Sequence, residues 1–287
     1  MPSQENNLLQ EFESFLQSNL PDAPSFHPTY NQALKEMLKA GGKRFRPLML
    51  LEVVDSYQPQ LVKNAFWIAA AVEFLHTYSL IHDDLPTFDD ADLRRGHPTL
   101  HVTYDEVVAT LVGDALNTHS FLMIAEAPLA PQIKVELVKE LSLNGGTDGM
   151  VLGQAIDCYF EDKPLDIEQL TFLHIHKTAK LIAASFKMGA LIAGLESSKQ
   201  ELLYDIGLNI GLLFQVQDDI IDATFTSDEA GKPTNNDNSK NSFTNLLGVN
   251  GAVSEKEKLK SKIKSQIDQL DSPLKERLIK NINIYFK

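Results

Sequence analysis

From residue 61 to residue 82 the chain reads LVKNAFWIAAAVEFLHTYSLIH, apolar on nearly every side of a helix. A run of that length exceeds an ordinary strand, and a helix lacking a polar face has to be enclosed by other elements. The rest of the chain supplies such a shell in the same currency. Leu8, Phe12, Phe15 and Leu16 recur at spacings of three and four within 6–20. Helical patterning follows over 29–40, 48–56, 104–126, 132–144, 167–194 and 198–222, with two amphipathic helices at 254–270 and 273–285. Residues 148–160 are helical with interruptions at Gly149 and Gly153, and Asp166 is placed to cap the helix that starts at 167. No segment alternates with period two, so the expected fold is all-α.

Gly41, Gly42 and Pro47 make a turn of AGGKRFRP, and 226–241, TSDEAGKPTNNDNSKN, is the one long polar loop. No linker, repeat or low-complexity block divides the chain, so residues 1–287 are expected to form a single domain. Composition narrows the partners. Lys plus Arg number 26 against 39 Asp plus Glu, a net charge of −13, which disfavours nucleic acid and anionic membrane surfaces. The amino terminus lacks a basic start followed by an apolar run, and Ala65–Ile81 carries Glu73 and His76 and is shorter than a membrane span. No membrane anchor is expected. A single cysteine, Cys158, cannot form an internal disulfide, which suits the cytoplasm.

Two acidic clusters interrupt this pattern. In FQVQDDIID, Asp218 and Asp222 lie four apart and share a helix face beside Asp219, a set of oxygen ligands suited to Mg²⁺ or Mn²⁺. In HDDLPTFDDADLRRG, Asp83 and Asp89 are six apart and would diverge by roughly 120° on an unbroken helix. Pro86 bends or ends that helix, so Asp89 can fold back toward Asp83. One acidic turn alone would read as a solvated loop. Two, each following a strongly apolar helix whose ends could face each other, suit a metal site in a helical bundle. Lys43, Arg44 and Arg46 in GGKRFRP, Arg94 and Arg95 in LRRG, Lys177 in HIHKTAK, and Lys232 and Lys240 add cations at turns. Beside metal-type clusters they suggest that phosphate groups bind here.

GGKRFRP, HTYSLIHDDLPTFDDADLRRG, HKTAKLI and FQVQDDIID, in this order, resemble the motifs of the trans-isoprenyl diphosphate synthases, most of all the bacterial members that make farnesyl diphosphate. The likeness runs from about Lys35 to Gly248. It implies an isoprenoid synthase-type bundle of ten or more helices around a central cavity, usually assembled as a homodimer. It also implies condensation of isopentenyl diphosphate with dimethylallyl and then geranyl diphosphate, with the proton lost to the departing diphosphate. By resemblance, Asp83, Asp84, Asp89, Asp218, Asp219 and Asp222 hold three Mg²⁺ ions. Arg94, Lys177, Thr178, Gln215, Lys232 and Lys240 bind the allylic diphosphate, and Lys43, Arg46, His76 and Arg95 bind isopentenyl diphosphate.

Tyr78, five residues before Asp83 and roughly 7.5 Å deeper along a helix, is placed with Ser79 to limit product length; the plainer reading is core packing. Rival readings are a geranylgeranyl diphosphate synthase, a non-catalytic partner subunit, and an acidic protein that buffers divalent ions. His97 with His101, and His174 with His176, have spacings open to zinc but no cysteine partner, and Cys158 reads as a packing residue. Leu152 stands where many relatives carry glycine, and the segment between Lys232 and Lys240 is shorter than theirs.

Overall fold

The computed structural model describes residues 4–224, 241–271 and 273–286. Lys232, Lys240 and all but the last residue of the polar loop lie outside the described residues. The chain forms two compact units, Met1–Val138 with Leu191–Ala193, and Lys139–Ala190 with Gly194–Lys287. Both are helical.

The first unit contains α1 (Gln4–Ser18), α2 (Tyr30–Lys39), α3 (Phe45–Tyr57), α4 (Val62–Asp83), the one-turn α5 (Leu100–Thr103) and α6 (Glu106–Glu126). The all-apolar stretch is α4, and its side chains from Ala65 to Leu75 are buried except at Trp67. Aromatic rings of α1 close over one end of it, with Phe12 and Phe15 lying 6.0 and 5.6 Å from Phe66. Along its other side runs α6, where Gly113 lets the helices touch: a Cβ there would lie 2.1 Å from His82 Nε2. By length and composition α6 could cross a membrane. Its inner residues Val108, Val112 and Leu116 are buried, while Val107, Leu111 and Leu122 are exposed.

The second unit takes in the latter part of α7 (Pro131–Gly145), α8 (Met150–Phe160), α9 (Ile167–His174), most of α10 (Lys180–Ile192), α11 (Ser197–Thr224), α12 (Phe243–Ile267) and α13 (Leu274–Tyr285). Asp166 caps α9 in a reciprocal capping box with Gln169, as its position before the apolar run predicts. Helix α11 passes close to its neighbours because Gly207 and Gly211 lack side chains. A Cβ at either would lie 2.5 or 2.4 Å from the Cα of Ala183 or Ala179.

Four expectations change. The helix expected over 167–194 runs without a break from Ile167 to Ile192 but widens into a π-helical turn at Ile175–Ala179. Gly153 does not interrupt α8 but lets it meet that turn, since a Cβ there would lie 2.1 Å from Lys177 N. A two-stranded hairpin, β1 (Leu93–Arg94) with β2 (His97–Pro98), exists although nothing alternates with period two. Two-residue strands are too short for that pattern; the turn itself makes the hairpin, with Arg95 and Gly96 both at positive φ, 56° and 77°. Cys158 is exposed on α8 rather than packed.

Candidate active site

The helix α4 ends where Pro86 removes a backbone donor. Asp84 caps it, and the following chain turns back: Asp89 N–H donates to Asp83 O at 2.9 Å, and Ala91 N–H to Asp84 O at 3.1 Å. The expected fold-back is therefore present. Asp83 is half-buried and Asp89 exposed, whereas Asp84 is only 2% exposed. The structure pairs Asp84 with Arg94, whose Nε donates to Oδ1 at 2.8 Å and whose Nη2 reaches the same oxygen. Burial raises the Asp84 carboxyl above its ordinary range, Arg94 opposes this, and the charges of Asp83 and Asp89 add to the rise. The Arg94 guanidinium is held charged by the same three carboxylates against the cost of burial. Asp90 N–H donates to Leu85 O at 3.2 Å within the same turn, and its carboxylate lies 4.0 Å from His101.

The hairpin sends the next side chain elsewhere. Arg95 donates from Nη1 to Gly41 O, and its Nη2 lies 3.9 Å from Glu73. Gly42 makes room, because a Cβ there would lie 2.7 Å from Arg95 Cζ; its φ of 139° also favours glycine. Arg44, one of the basic residues of the same loop, is structural. It adopts φ 45° before α3 and is buried, with Nε 2.7 Å from Glu13, Nη1 2.6 Å from Glu73 and Nη2 donating to Leu38 O at 2.7 Å. Three donors are thus spent on the fold.

Arg46 is different. Its Nη1 lies 3.2 Å from His76 Nε2. A guanidinium only donates, so His76 accepts at Nε2 and carries its proton on Nδ1. Burial keeps His76 neutral, well below its ordinary pKa, reinforced by Arg46, Arg95, Arg94 and Arg44. Burial also lowers Arg46 to about 10, with Arg95 adding to the fall and Glu73 opposing it. Among the described residues, Arg46 Nε and His76 Nδ1 are buried without a hydrogen-bond partner. Two unmet donors inside a cationic cluster are what an anion would satisfy. Lys43 stands exposed at the edge of the same loop.

Tyr78 is 7% exposed and packs edge-on against His82, ring centroids 5.6 Å apart. Ser79 is half-buried, and its hydroxyl donates to His76 O at 2.8 Å. Both surroundings suit a wall inside the unit.

In the second unit the π-turn carries Lys177 and Thr178. An extra residue in a helical turn re-aims side chains, and such turns recur at functional positions. Lys177 pairs with Asp157 of α8, and Thr178 Oγ1 donates to Gln215 Oε1 of α11 at 2.8 Å. Asp218 and Asp222 are half-buried on the same face of unbroken α11. Asp219 has a structural use as well, since its Oδ2 accepts from Phe243 N at 2.6 Å and so ties down the start of α12. Asn241, just before α12, was not singled out by its sequence. Its amide donates to Phe160 O and Lys163 O at 2.8 and 2.9 Å, and its oxygen accepts from Leu165 N at 2.9 Å.

The donor chemistry fits Mg²⁺. Accessible carboxylates offer oxygen only, and Mg²⁺ takes one or two carboxylates together with waters and substrate phosphates rather than an all-protein cage. Among the described residues no three ligating side chains form such a cage.

The end of α4 in carboxylates, in the unit where Arg46 and His76 keep unmet donors, points to a class, that of helical proteins suited to phosphorylated ligands and a hard divalent ion. The sequence matches the polyprenyl synthetase family over residues 27–281. The chain belongs to that family. It is 41% identical over 233 residues to a farnesyl diphosphate synthase of Geobacillus stearothermophilus, covering 79% of this chain and 77% of the relative. A chloroplastic geranylgeranyl pyrophosphate synthase of Capsicum annuum is also 41% identical, over 84% of this chain and 67% of the relative. A crystal structure of a geranyltransferase from Helicobacter pylori, complexed with magnesium and isoprenyl diphosphate, superposes with TM-score 0.93 at 49% identity. It covers 100% of this chain and 98% of that one.

Proposed function

We propose that the protein is a Mg²⁺-dependent trans-prenyltransferase that joins isopentenyl diphosphate to dimethylallyl and then geranyl diphosphate, yielding farnesyl diphosphate. One observation carries this reading: the unmet donors of Arg46 and His76, next to Arg95, lie about two helical turns before the proline-bent pair of aspartates that ends α4. In this reading Arg46, His76, Arg95 and Lys43 hold the diphosphate of isopentenyl diphosphate. Asp83 and Asp89 of the first unit are metal ligands, as are Asp218 and Asp222 of the second, three Mg²⁺ ions in all, and Mn²⁺ can replace them. Asp84 fixes Arg94, and Asp219 ties down α12 besides counting among the metal ligands. Arg94, Lys177, Thr178 and Gln215 orient the allylic diphosphate, joined by Lys232 and Lys240.

Bound Mg²⁺ offsets the charge that grows on the diphosphate as its carbon–oxygen bond breaks. The protein's part is to hold the two diphosphates and keep water from the allylic cation. Neutral His76 donates a hydrogen bond from Nδ1–H to a phosphate oxygen without adding a charge to a crowded cationic cluster. The buried walls around Tyr78 shield apolar carbon.

A homodimer is part of the proposal, formed through the exposed apolar residues Val107, Leu111 and Leu122 on α6; a Leu111→Glu variant should sediment as a monomer. Cytoplasmic residence is likewise proposed, supported by the single cysteine. The deciding experiment supplies purified protein with Mg²⁺, isopentenyl diphosphate and each allylic diphosphate in turn, and reads product masses. A C15 product from dimethylallyl and geranyl diphosphate is expected. A C20 product would replace the farnesyl assignment with a geranylgeranyl one, and absence of condensation would overturn the enzyme reading.

A further inference from the structure

His174, the last residue of α9, is 6% exposed, and neither ring nitrogen has a hydrogen-bond partner among the described residues. A phenyl ring would fill the same space without burying two unmet polar atoms, so packing alone does not explain a histidine there. Its surroundings are specific. One face stacks on Phe243, ring centroids 5.6 Å apart and planes 22° from parallel. Phe243 is the residue whose N–H is held by Asp219 at 2.6 Å. Burial keeps the ring neutral, and the charges of Asp157, Lys177 and Asp218 all act on it. A neutral imidazole has one donor and one acceptor, so it can support a carboxylate without competing with a cation for it.

We propose that His174 is a positioning residue for the second aspartate motif. One ring nitrogen gives Asp218 an outer hydrogen bond through a water, while the ring face sets Phe243 and through it Asp219. The inference rests on the reading of Asp218 as a Mg²⁺ ligand. Carboxylates that ligate a metal depend on such outer partners for their orientation, and removing one weakens metal affinity by about 10- to 100-fold.

The test titrates Mn²⁺ in the presence of inorganic diphosphate, followed by electron paramagnetic resonance, into wild type, His174→Phe, His174→Asn and Asp218→Ala, with thermal unfolding of each. His174→Phe should melt at or above the wild-type temperature yet bind Mn²⁺ about 10- to 100-fold more weakly, and His174→Asn should recover much of the affinity. Wild-type affinity in His174→Phe, alongside weakened binding in Asp218→Ala, overturns the proposal. So does a folded His174→Asn as weak as His174→Phe. Wild-type affinity in Asp218→Ala instead overturns the reading of Asp218 as a ligand. Should His174→Phe fail to fold, His174→Gln is compared with His174→Met, and equal Mn²⁺ affinity in those two overturns the proposal.

Discussion

Asp89 donates its backbone N–H to the carbonyl of Asp83 at 2.9 Å, joining two residues that a straight helix would point in different directions. Pro86 is the cause, since it cannot continue the ladder of α4. Pro86→Ala should let the helix run on and carry Asp89 away. The variant is expected to be as stable as wild type, while turnover at saturating isopentenyl diphosphate falls about 100-fold and the Mg²⁺ requirement rises. Wild-type Mg²⁺ dependence would mean the turn forms without the proline.

Asp83→Ala and Asp218→Ala should each lower turnover by at least ~100-fold, because each removes a carboxylate that the proposed ions need. Steady-state assays across a Mg²⁺ series distinguish this from a loss of folding. Near-normal turnover in both variants would contradict the metal assignment.

Arg44 and Arg46 are two residues apart and should fail differently. Arg44→Ala strands buried Glu73, whose carboxylate lies 2.6 Å from Arg44 Nη1, and should cost about 3–5 kcal/mol of stability in urea unfolding. Arg46→Ala should leave stability nearer wild type but raise KM for isopentenyl diphosphate about 10-fold or more, through a lost charged hydrogen bond. Equal stability losses would assign both arginines to the fold.

Tyr78 is buried near the carboxylate end of α4, so Tyr78→Ala opens space along the helix. Products longer than C15 are expected by mass spectrometry, with a stability cost of about 3 kcal/mol or more from the cavity. An unchanged product would confine Tyr78 to packing.

Stability should fall in acid through two histidines. Burial holds His174 down to about 4, and His76 well below 6.5, by burial and then by its four arginine neighbours. Below about pH 6.5 the unfolded chain takes up protons that the native one refuses, so stability rises with pH across the window from 4 to 6.5. For His174 the difference is about 3 kcal/mol at the foot of that window. Urea unfolding at pH 7, 6 and 5 should show the loss, and His174→Phe should lose less. Identical slopes would contradict a buried neutral ring.

The helical fold was legible in the sequence because its cause is local: apolar residues at 3.6-residue spacing have to find a common side, and α4, apolar all round, has to be enclosed. The fold-back at Pro86 and the capping by Asp166 were legible for the same reason, each being set by chemistry within a few residues. The aspartate and arginine motifs were legible as a set through resemblance to a family. What each member does was decided by tertiary structure, because partners distant in sequence choose among chemically equal candidates. Glu13 and Glu73 claim Arg44 across 31 and 29 residues and leave Arg46 to His76. Arg94 takes Asp84 out of solvent, and the hairpin turns Arg95 the other way. Gly153 matters because α8 packs directly on the π-turn, and His174 is distinguished by burial with neither nitrogen paired. A one-dimensional pattern carries periodicity and short-range turn chemistry; burial and the pairing of remote charges exist only once the helices have packed.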